Sequence, residues 1–190
     1  CSLFEHLPDA SGSVGRQPKP LSTISDVMTD WNDPHRLPRY AVPHRYGVTI
    51  TPDLLSSTFT GEVVIDVEVT EEGHNTVVLN AIELEIHSAT IDNQQAEFHL
   101  DPSTERLIMS TDTALEIGPH QITISFTGTI NDKLRGFYRS SFTDEDGQQY
   151  VIGTTQMQST DCRRAFPCWD EPDFKAVFEI TLNIRPEDTA

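Results

Sequence analysis

Two glutamines in the C-terminal part of the chain have the type and spacing to do binding chemistry. Gln156 and Gln158 stand two apart in the run TTQMQST. If this run is an extended strand, both amides point to one face, about 7 Å apart, and Met157 points to the other. An amide donates and accepts hydrogen bonds, so the pair suits a peptide backbone or a free ammonium group. The alternative, favoured by the pattern alone, is two polar residues on an ordinary exposed strand face.

Two cysteines follow these glutamines closely. Cys162 and Cys168, with Asp170 and Glu171 nearby, admit three interpretations. Structural zinc favours cysteines about two to four positions apart together with a second ligand pair, so we predict no metal ion here. An intramolecular disulfide is the second interpretation, and a pair of free, packed thiols is the favoured one.

The same stretch is rich in charged and aromatic side chains. Arg163 and Arg164 are predicted to form charge-assisted hydrogen bonds across a tight connection that ends at Pro172, with the acidic residues Asp170, Glu171 and Asp173. We interpret this network as structural, because general acid–base catalysis needs a defined pocket and a partner that the sequence does not show. The aromatic residues are predicted to form the apolar side of the connection: Phe166, Trp169 and Phe174.

The common catalytic motifs are absent from this sequence. Its 7 histidines are scattered, and none belongs to an H-E-x-x-H zinc motif. There is also no G-x-S-x-G nucleophile elbow and no G-x-x-x-x-G-K-[ST] phosphate loop. These 190 residues by themselves therefore lack a complete catalytic apparatus.

The composition excludes several classes of partner. With 13 basic and 30 acidic residues the formal net charge is −17, which argues against nucleic acid and against an anionic membrane surface. No apolar run approaches the roughly 18 residues of a membrane span. Three cysteines do not make the even disulfide framework of a small secreted domain, so we predict a cytoplasmic protein. Because the first residue is Cys1 rather than Met, a processed, lipid-anchored or secreted form stays open as the minor alternative.

The elements that must position these residues are predicted to be strands. Residues 1–36 read as an irregular lead-in, with one helical turn in ISDVMTDW, and residues 37–190 as one domain. About ten short strands separated by turn signals predict an all-β fold, an antiparallel β-sandwich or a saddle-shaped curled sheet. Three strands alternate apolar and polar residues clearly. Their inward positions are Phe59, Val63, Ile65, Val67 and Val69; Ile122, Ile124 and Phe126; and Phe178, Ile180, Leu182 and Ile184.

A long segment resembles a known family. The stretch YVIGTTQMQSTDCRRAFPCWDEPDFKAVFEITL, with GFYRSSF before it, is similar to the N-terminal domain of zinc aminopeptidases of the aminopeptidase N and puromycin-sensitive aminopeptidase family. The runs RLPRYAVPHRYGVTITPDL, FTGEVVIDVEV and VVLNAIELEI resemble that domain's opening strands in the same order. The resemblance covers about Leu37 to Ile184, and its pattern T-Q-x-[EQ] followed by D-x-R-R-A-F-P-C-[FW]-D-E-P is long enough to be specific.

The resemblance implies a division of labour within a longer polypeptide. In the family, a β-rich, saddle-shaped N-terminal domain precedes a catalytic domain that carries the H-E-x-x-H zinc site and a G-x-M-E-N substrate loop. Neither motif occurs in this sequence. We therefore expect this chain to be the substrate-anchoring part of a zinc metalloaminopeptidase, with the zinc ligands outside it. Alone, it is expected to be inactive and zinc-free.

The resemblance also assigns roles to the two glutamines. Gln156 is expected to contact the substrate backbone, and Gln158 to lie where the free α-amino group of the peptide docks. Most relatives have glutamate at the second position, so a neutral amide replaces the usual carboxylate here. The expected partners are a peptide N-terminus and the catalytic domain of the same polypeptide. The competing hypotheses are a non-catalytic scaffold relative and a free-standing β-sandwich binding module.

Overall fold

The computed structural model describes residue 33 and residues 36–190. The predicted lead-in and the helical turn in ISDVMTDW lie almost entirely outside these residues. The described part contains one 3₁₀ turn, Cys162–Arg164, and eleven strands. The strands are β1 (Ala41–Asp53), β2 (Thr58–Val69), β3 (Thr76–Asn80), β4 (Leu84–Ile91), β5 (Gln94–Gln95), β6 (Glu97–Asp101), β7 (Arg106–Ser110), β8 (Gly118–Thr129), β9 (Gly136–Thr143), β10 (Gln149–Gln156) and β11 (Val177–Leu182).

The strands form three sheets. A six-stranded sheet has the order β11-β1-β2-β8-β4-β5, a three-stranded sheet the order β3-β7-β6, and β9 and β10 form a separate ribbon. Every pairing is antiparallel except that of β1 with β11, which is parallel. The predicted all-β class with antiparallel sheets is confirmed. Across the described part of the chain, no helix combines the length and apolar character that crossing a membrane requires.

The core is built from the alternating faces of the long strands. The predicted inward residues of β2 and β8 are confirmed, with exposures of 0–2%. The three-stranded sheet adds its own apolar side chains to the same cluster, including Leu79, Leu107 and Met109. Both larger sheets therefore share one hydrophobic core, and burial of these side chains is the main contribution to stability.

Two glycine–aromatic pairs set the close packing of β2 on β8. Gly61 pairs with Phe126 across the strands, and Phe59 pairs with Gly128 in the same ladder. Each ring lies over the backbone of the opposite glycine, where any side chain would collide with it. The two rings meet edge to face, with centroids 6.4 Å apart. The glycines thus provide the space in which two large rings become fully buried.

The prediction for the last strand is wrong in one respect. Phe178, Ile180 and Leu182 do lie on the same face as the buried residues of β1, because their register partners are Tyr46, Val48 and Ile50. However, their exposures are 51%, 55% and 50%, and Ile184 is also exposed. β11 is the edge strand of its sheet, and no described residue covers this face as the core covers β2 and β8. Alternation predicts which face is apolar, whereas burial also requires a second layer.

Replacing Gly61 with alanine is expected to destabilise the fold. The new Cβ would lie 2.5 Å from Cζ of Phe126 and 2.9 Å from Cδ1 of Ile50, and the Phe126 ring is fully buried. We expect a loss of about 1–3 kcal/mol in the free energy of unfolding, measured by urea denaturation. The matched control is Gly47→Ala in β1, where the nearest atoms lie 3.9 Å away. That variant should be neutral or stabilised by up to about 1 kcal/mol, and equal losses in both would contradict the packing argument.

Candidate functional site

The candidate site lies where β10 ends. Gln156 is the last residue of β10 and pairs with Gly136, the first residue of β9. The expected extension of the strand through Gln158 is therefore not observed, because β9 offers no partner beyond that pair. Gln158 lies in a turn, in which the Asp161 N–H donates to the carbonyl of Met157 at 3.0 Å.

The two glutamines and the methionine between them differ in burial. Gln156 and Gln158 are both exposed, whereas Met157 is half-buried and packs against the core. The Gln156 side chain donates a hydrogen bond from Nε2 to the main-chain carbonyl of Gln158 at 3.4 Å. The result is a polar, solvent-facing tip whose apolar middle residue anchors it to the domain.

A close backbone contact fixes this tip against the following turn. Gly136 has φ +65°, and a Cβ at this position would lie 2.7 Å from Cβ of Arg164 and 3.3 Å from the carbonyl oxygen of Asp161. Only glycine combines this conformation with this approach. The start of β9, and with it the end of β10, therefore lies directly on the 3₁₀ turn.

Arg163 is the centre of the charge network behind the tip. Its Nε donates to Asp170 at 2.9 Å and its Nη1 to Glu105 at 3.0 Å, and the side chains of Arg163 and Asp170 are largely buried. Arg164 instead forms ion pairs with Asp161 and Glu83, each with a nitrogen–oxygen distance of 2.8 Å. The predicted charge-assisted hydrogen bond is confirmed for Arg163 and Asp170. The contributions of Glu83 and Glu105 were missed, because both come from turns far away in sequence.

The remaining acidic residues pair elsewhere, which corrects the sequence prediction. Arg39 forms ion pairs with Glu171 at 2.8 Å and with Asp173 at 2.9 Å. Arg36 forms a further ion pair with Asp173 at 3.3 Å. Partial desolvation opposes ionisation of Asp173, but the hydrogen bond and charge of Arg39 outweigh it and lower the pKa of that carboxyl. The Arg39 guanidinium also lies 4.4 Å from the ring centroid of Phe174. This segment therefore ties the connection to the chain entering β1.

The aromatic side of the connection is buried, as predicted. Phe166 and Trp169 lie in the core, and the half-buried Phe174 packs at 6.3 Å from Trp169. The main-chain N–H of Trp169 donates to the hydroxyl of Tyr46 at 3.1 Å. Burial raises the pKa of Tyr46 far above its ordinary value, so its hydroxyl stays neutral.

Main-chain hydrogen bonds join the connection to the three-stranded sheet. The Asn80 N–H donates to the Cys168 carbonyl at 2.8 Å, and the Cys168 N–H donates back to Asn80 at 3.1 Å. The Asn80 side chain accepts from the N–H of Asp170 at 3.2 Å. Asn80 and Tyr46 carried no sequence signal, because an amide and a phenol at strand positions have no motif.

The two cysteines are free thiols that meet beside this network. Their sulfur atoms and a carboxylate oxygen of Asp170 lie within 4.8 Å of one another, the one such donor group found among the described residues. The neighbouring Cys162 thiol, together with burial, raises the pKa of Cys168. The group does not fit a catalytic zinc ion, because Arg163 already holds Asp170 in an ion pair and brings a positive charge.

An apolar groove lies beneath the tip. It is lined by side chains of β1, β10 and β11 and by Met157 of the tip. The residues that give it its apolar character are Val48, Ile50, Phe137, Phe166, Ile180 and Leu182. The glutamines of the tip therefore face water, whereas its methionine faces the apolar groove.

Comparison with known proteins identifies this architecture. The family model of the peptidase M1 N-terminal domain matches residues 42–190. Aminopeptidase M1-A of Oryza sativa subsp. japonica is 42% identical over 164 residues, which cover 82% of this chain and 18% of that protein. Aminopeptidase M1 of Arabidopsis thaliana is 35% identical over 166 residues, covering 83% of this chain and 19% of that protein.

The same relation extends to animals. The puromycin-sensitive aminopeptidase of Caenorhabditis elegans is 35% identical over 161 residues, which cover 82% of this chain and 17% of that protein. The chain belongs to the M1 peptidase family and comprises its N-terminal domain. It spans less than a fifth of the length of these curated relatives.

Replacing Arg163 with methionine is expected to be strongly destabilising. Methionine keeps an unbranched apolar side chain at this position but leaves the buried Asp170 carboxylate without its partner. We expect a loss of about 2–4 kcal/mol in the free energy of unfolding, measured by urea denaturation at neutral pH. The control is Lys133→Met, which removes an exposed ion pair with Glu83 at 3.7 Å and should cost at most about 0.5 kcal/mol. Equal effects would show that the Arg163 network does not support the fold.

Proposed function

We propose that this domain holds the N-terminal end of a peptide substrate in an M1 aminopeptidase, through Gln156 and Gln158. The observation that carries the proposal is the pair of exposed amides at the end of β10, on a tip anchored by Met157 and Gly136. Rigid support matters because a binding group contributes most when its position is fixed before the substrate arrives. The membership of the chain in the M1 family supports the same role.

The two amides differ in what they offer a peptide. Gln156 lies in the β ladder, so its amide can meet the alternating C=O and N–H groups of an extended substrate backbone. Gln158 lies in the turn beyond the ladder and offers a neutral carbonyl oxygen to the α-ammonium group. A hydrogen bond between neutral partners contributes about 0.5–1.5 kcal/mol, and one to a charged group about 1.5–3 kcal/mol. Recognition of the free amine is therefore weaker at Gln158 than at a glutamate.

The chemical step belongs to another part of the polypeptide. The M1 aminopeptidase family is generally zinc-dependent, and this sequence holds no H-E-x-x-H ligand motif. When bound in the catalytic domain, zinc would supply the activated water for peptide hydrolysis. The residues of this chain bind and orient the peptide, and the cytoplasm is the compartment that the composition favours.

The uncovered apolar surfaces support packing against the rest of the polypeptide. Five apolar residues of β10 and β11 are exposed: Val151, Ile152, Phe178, Ile180 and Leu182. Two of them, Ile180 and Leu182, line the groove. Several large apolar side chains exposed on neighbouring strands are typical of an interface. Contact there would place the catalytic domain next to the glutamine tip.

Changing Gln158 to glutamate is expected to tighten the binding of peptides with a free N-terminus. The carboxylate would restore a charge-assisted hydrogen bond, so KM for an aminoacyl-anilide should fall about fivefold in the full-length enzyme, corresponding to about 1 kcal/mol. An N-acetylated substrate carries no ammonium group and serves as the control, with no gain expected. An unchanged KM for the free-amine substrate would refute the docking role of Gln158.

Truncating Gln156 to alanine is expected to reduce catalysis without changing the fold. Loss of one neutral hydrogen bond to the substrate should lower kcat/KM about 3- to 10-fold, measured on the full-length enzyme with a tripeptide. Gln149→Ala is the matched control, because Gln149 is also exposed on β10 but lies at its other end. Both variants should unfold at the parental urea midpoint. Equal kcat/KM values for the two would contradict the proposal.

A further inference from the structure

We propose that Cys162 and Cys168 form a reversible intramolecular disulfide on exposure to a peroxide, which makes this pair an oxidation site behind the glutamine tip. The first support is proximity: their sulfur atoms lie within 4.8 Å of one another. The inference rests on the thiol geometry and does not require the proposed substrate-binding role.

The two cysteines differ in how firmly the fold holds them. Cys168 is fixed by the two main-chain hydrogen bonds with Asn80. Cys162 is the first residue of the 3₁₀ turn, at the surface end of the connection, and is half-buried. A disulfide needs a sulfur–sulfur distance of about 2.05 Å, so the sulfur atoms must approach further. Rotation of the Cys162 side chain within its turn can close this gap while the backbone of Cys168 stays in place.

The difference in burial between the two cysteines also indicates which of them reacts with the oxidant first. The half-buried Cys162 is accessible to a small oxidant, whereas the Cys168 thiol is almost fully buried. The neighbouring Cys162 thiol and burial raise the pKa of Cys168 and so favour its protonated form, although the charge of Arg163 acts in the opposite direction. Cys162 is therefore the cysteine that is oxidised first, and Cys168 then attacks the oxidised Cys162 to form the disulfide.

The reaction balances with hydrogen peroxide as the oxidant. The Cys162 sulfur attacks one peroxide oxygen, the O–O bond breaks, and water leaves with the thiol proton, which gives a sulfenic acid. The Cys168 sulfur then attacks the Cys162 sulfur, the S–O bond breaks, and a second water carries away the remaining proton. Two thiols lose two electrons, and one peroxide is reduced to two waters. An excess of a dithiol reductant reverses the reaction by thiol–disulfide exchange.

A metal ion is the competing occupant of the same residues. It would require Asp170 as its third ligand, but that carboxylate already accepts hydrogen bonds from the side chain and main chain of Arg163. The Arg163 guanidinium would also face the cation. A disulfide needs only the two sulfur atoms and leaves this ion pair intact.

The experiment uses peroxide oxidation followed by peptide mapping. Trypsin cuts after Arg163 and Arg164, so Cys162 and Cys168 fall on separate peptides that remain joined only if the disulfide has formed. The protein in a Cys1→Ser background is treated with hydrogen peroxide, alkylated and digested. We expect the joined peptides, at least a fivefold loss of alkylation at both cysteines, and full recovery after dithiothreitol. The oxidised protein should also melt several degrees higher, because the cross-link restricts the unfolded chain.

A matched variant and a metal control keep the result interpretable. Cys162→Ser should keep the parental melting temperature, because Cys162 is only half-buried, and should show neither joined peptides nor a rise in melting temperature with peroxide. Persistent alkylation of both cysteines, or irreversible overoxidation of Cys162 without joined peptides, would overturn the proposal. Protection of both thiols by zinc chloride alone, with no joined peptides after peroxide, would overturn it in favour of a metal site.

Discussion

The structure of the site depends on the pair of main-chain hydrogen bonds between Asn80 and Cys168. This bridge is the point at which the connection after β10 joins the three-stranded sheet, and the hydrogen bond from Trp169 to Tyr46 holds its next residue in the core. Because these bonds are buried, opening them would leave unpaired polar groups away from water. The irregular connection after the glutamines is consequently a rigid support. It determines the positions of the Arg163 network and of the glutamine tip.

The charged side chains around this support form a buried pair and a more exposed outer group. Arg163 and Asp170 lie deepest and pair with each other, whereas Arg36, Arg39 and Asp173 form an outer group near the surface. Separating the inner pair is costly, because water cannot solvate a buried charge that has lost its partner. The outer group contributes less to stability but fixes where the chain enters β1. The strongly acidic chain thus uses several of its few arginines at one place.

The sequence predicts which face of a strand is buried better than it predicts which distant residues pair with each other. The faces of β2 and β8 were predicted correctly because alternation is a property of each strand, and Phe59 and Phe126 had to point inward together. The end of β10 was placed too late, since it depends on where β9 begins. The partners of Arg164 and Glu171 were also missed, because Glu83 and Arg39 lie far away in the chain. No alternation or motif in a single sequence encodes such long-range pairings.

The parallel pairing of β1 with β11 joins the first and last strands of the described fold. Arg45 and Val177 are register partners, so the six-stranded sheet is incomplete until nearly the whole domain has left the ribosome. Such distant pairings make folding slow, since a long loop must close before the contact is gained. During synthesis β1 presents an unpaired edge to other chains, and Arg45 places a charge on that edge, which discourages premature association.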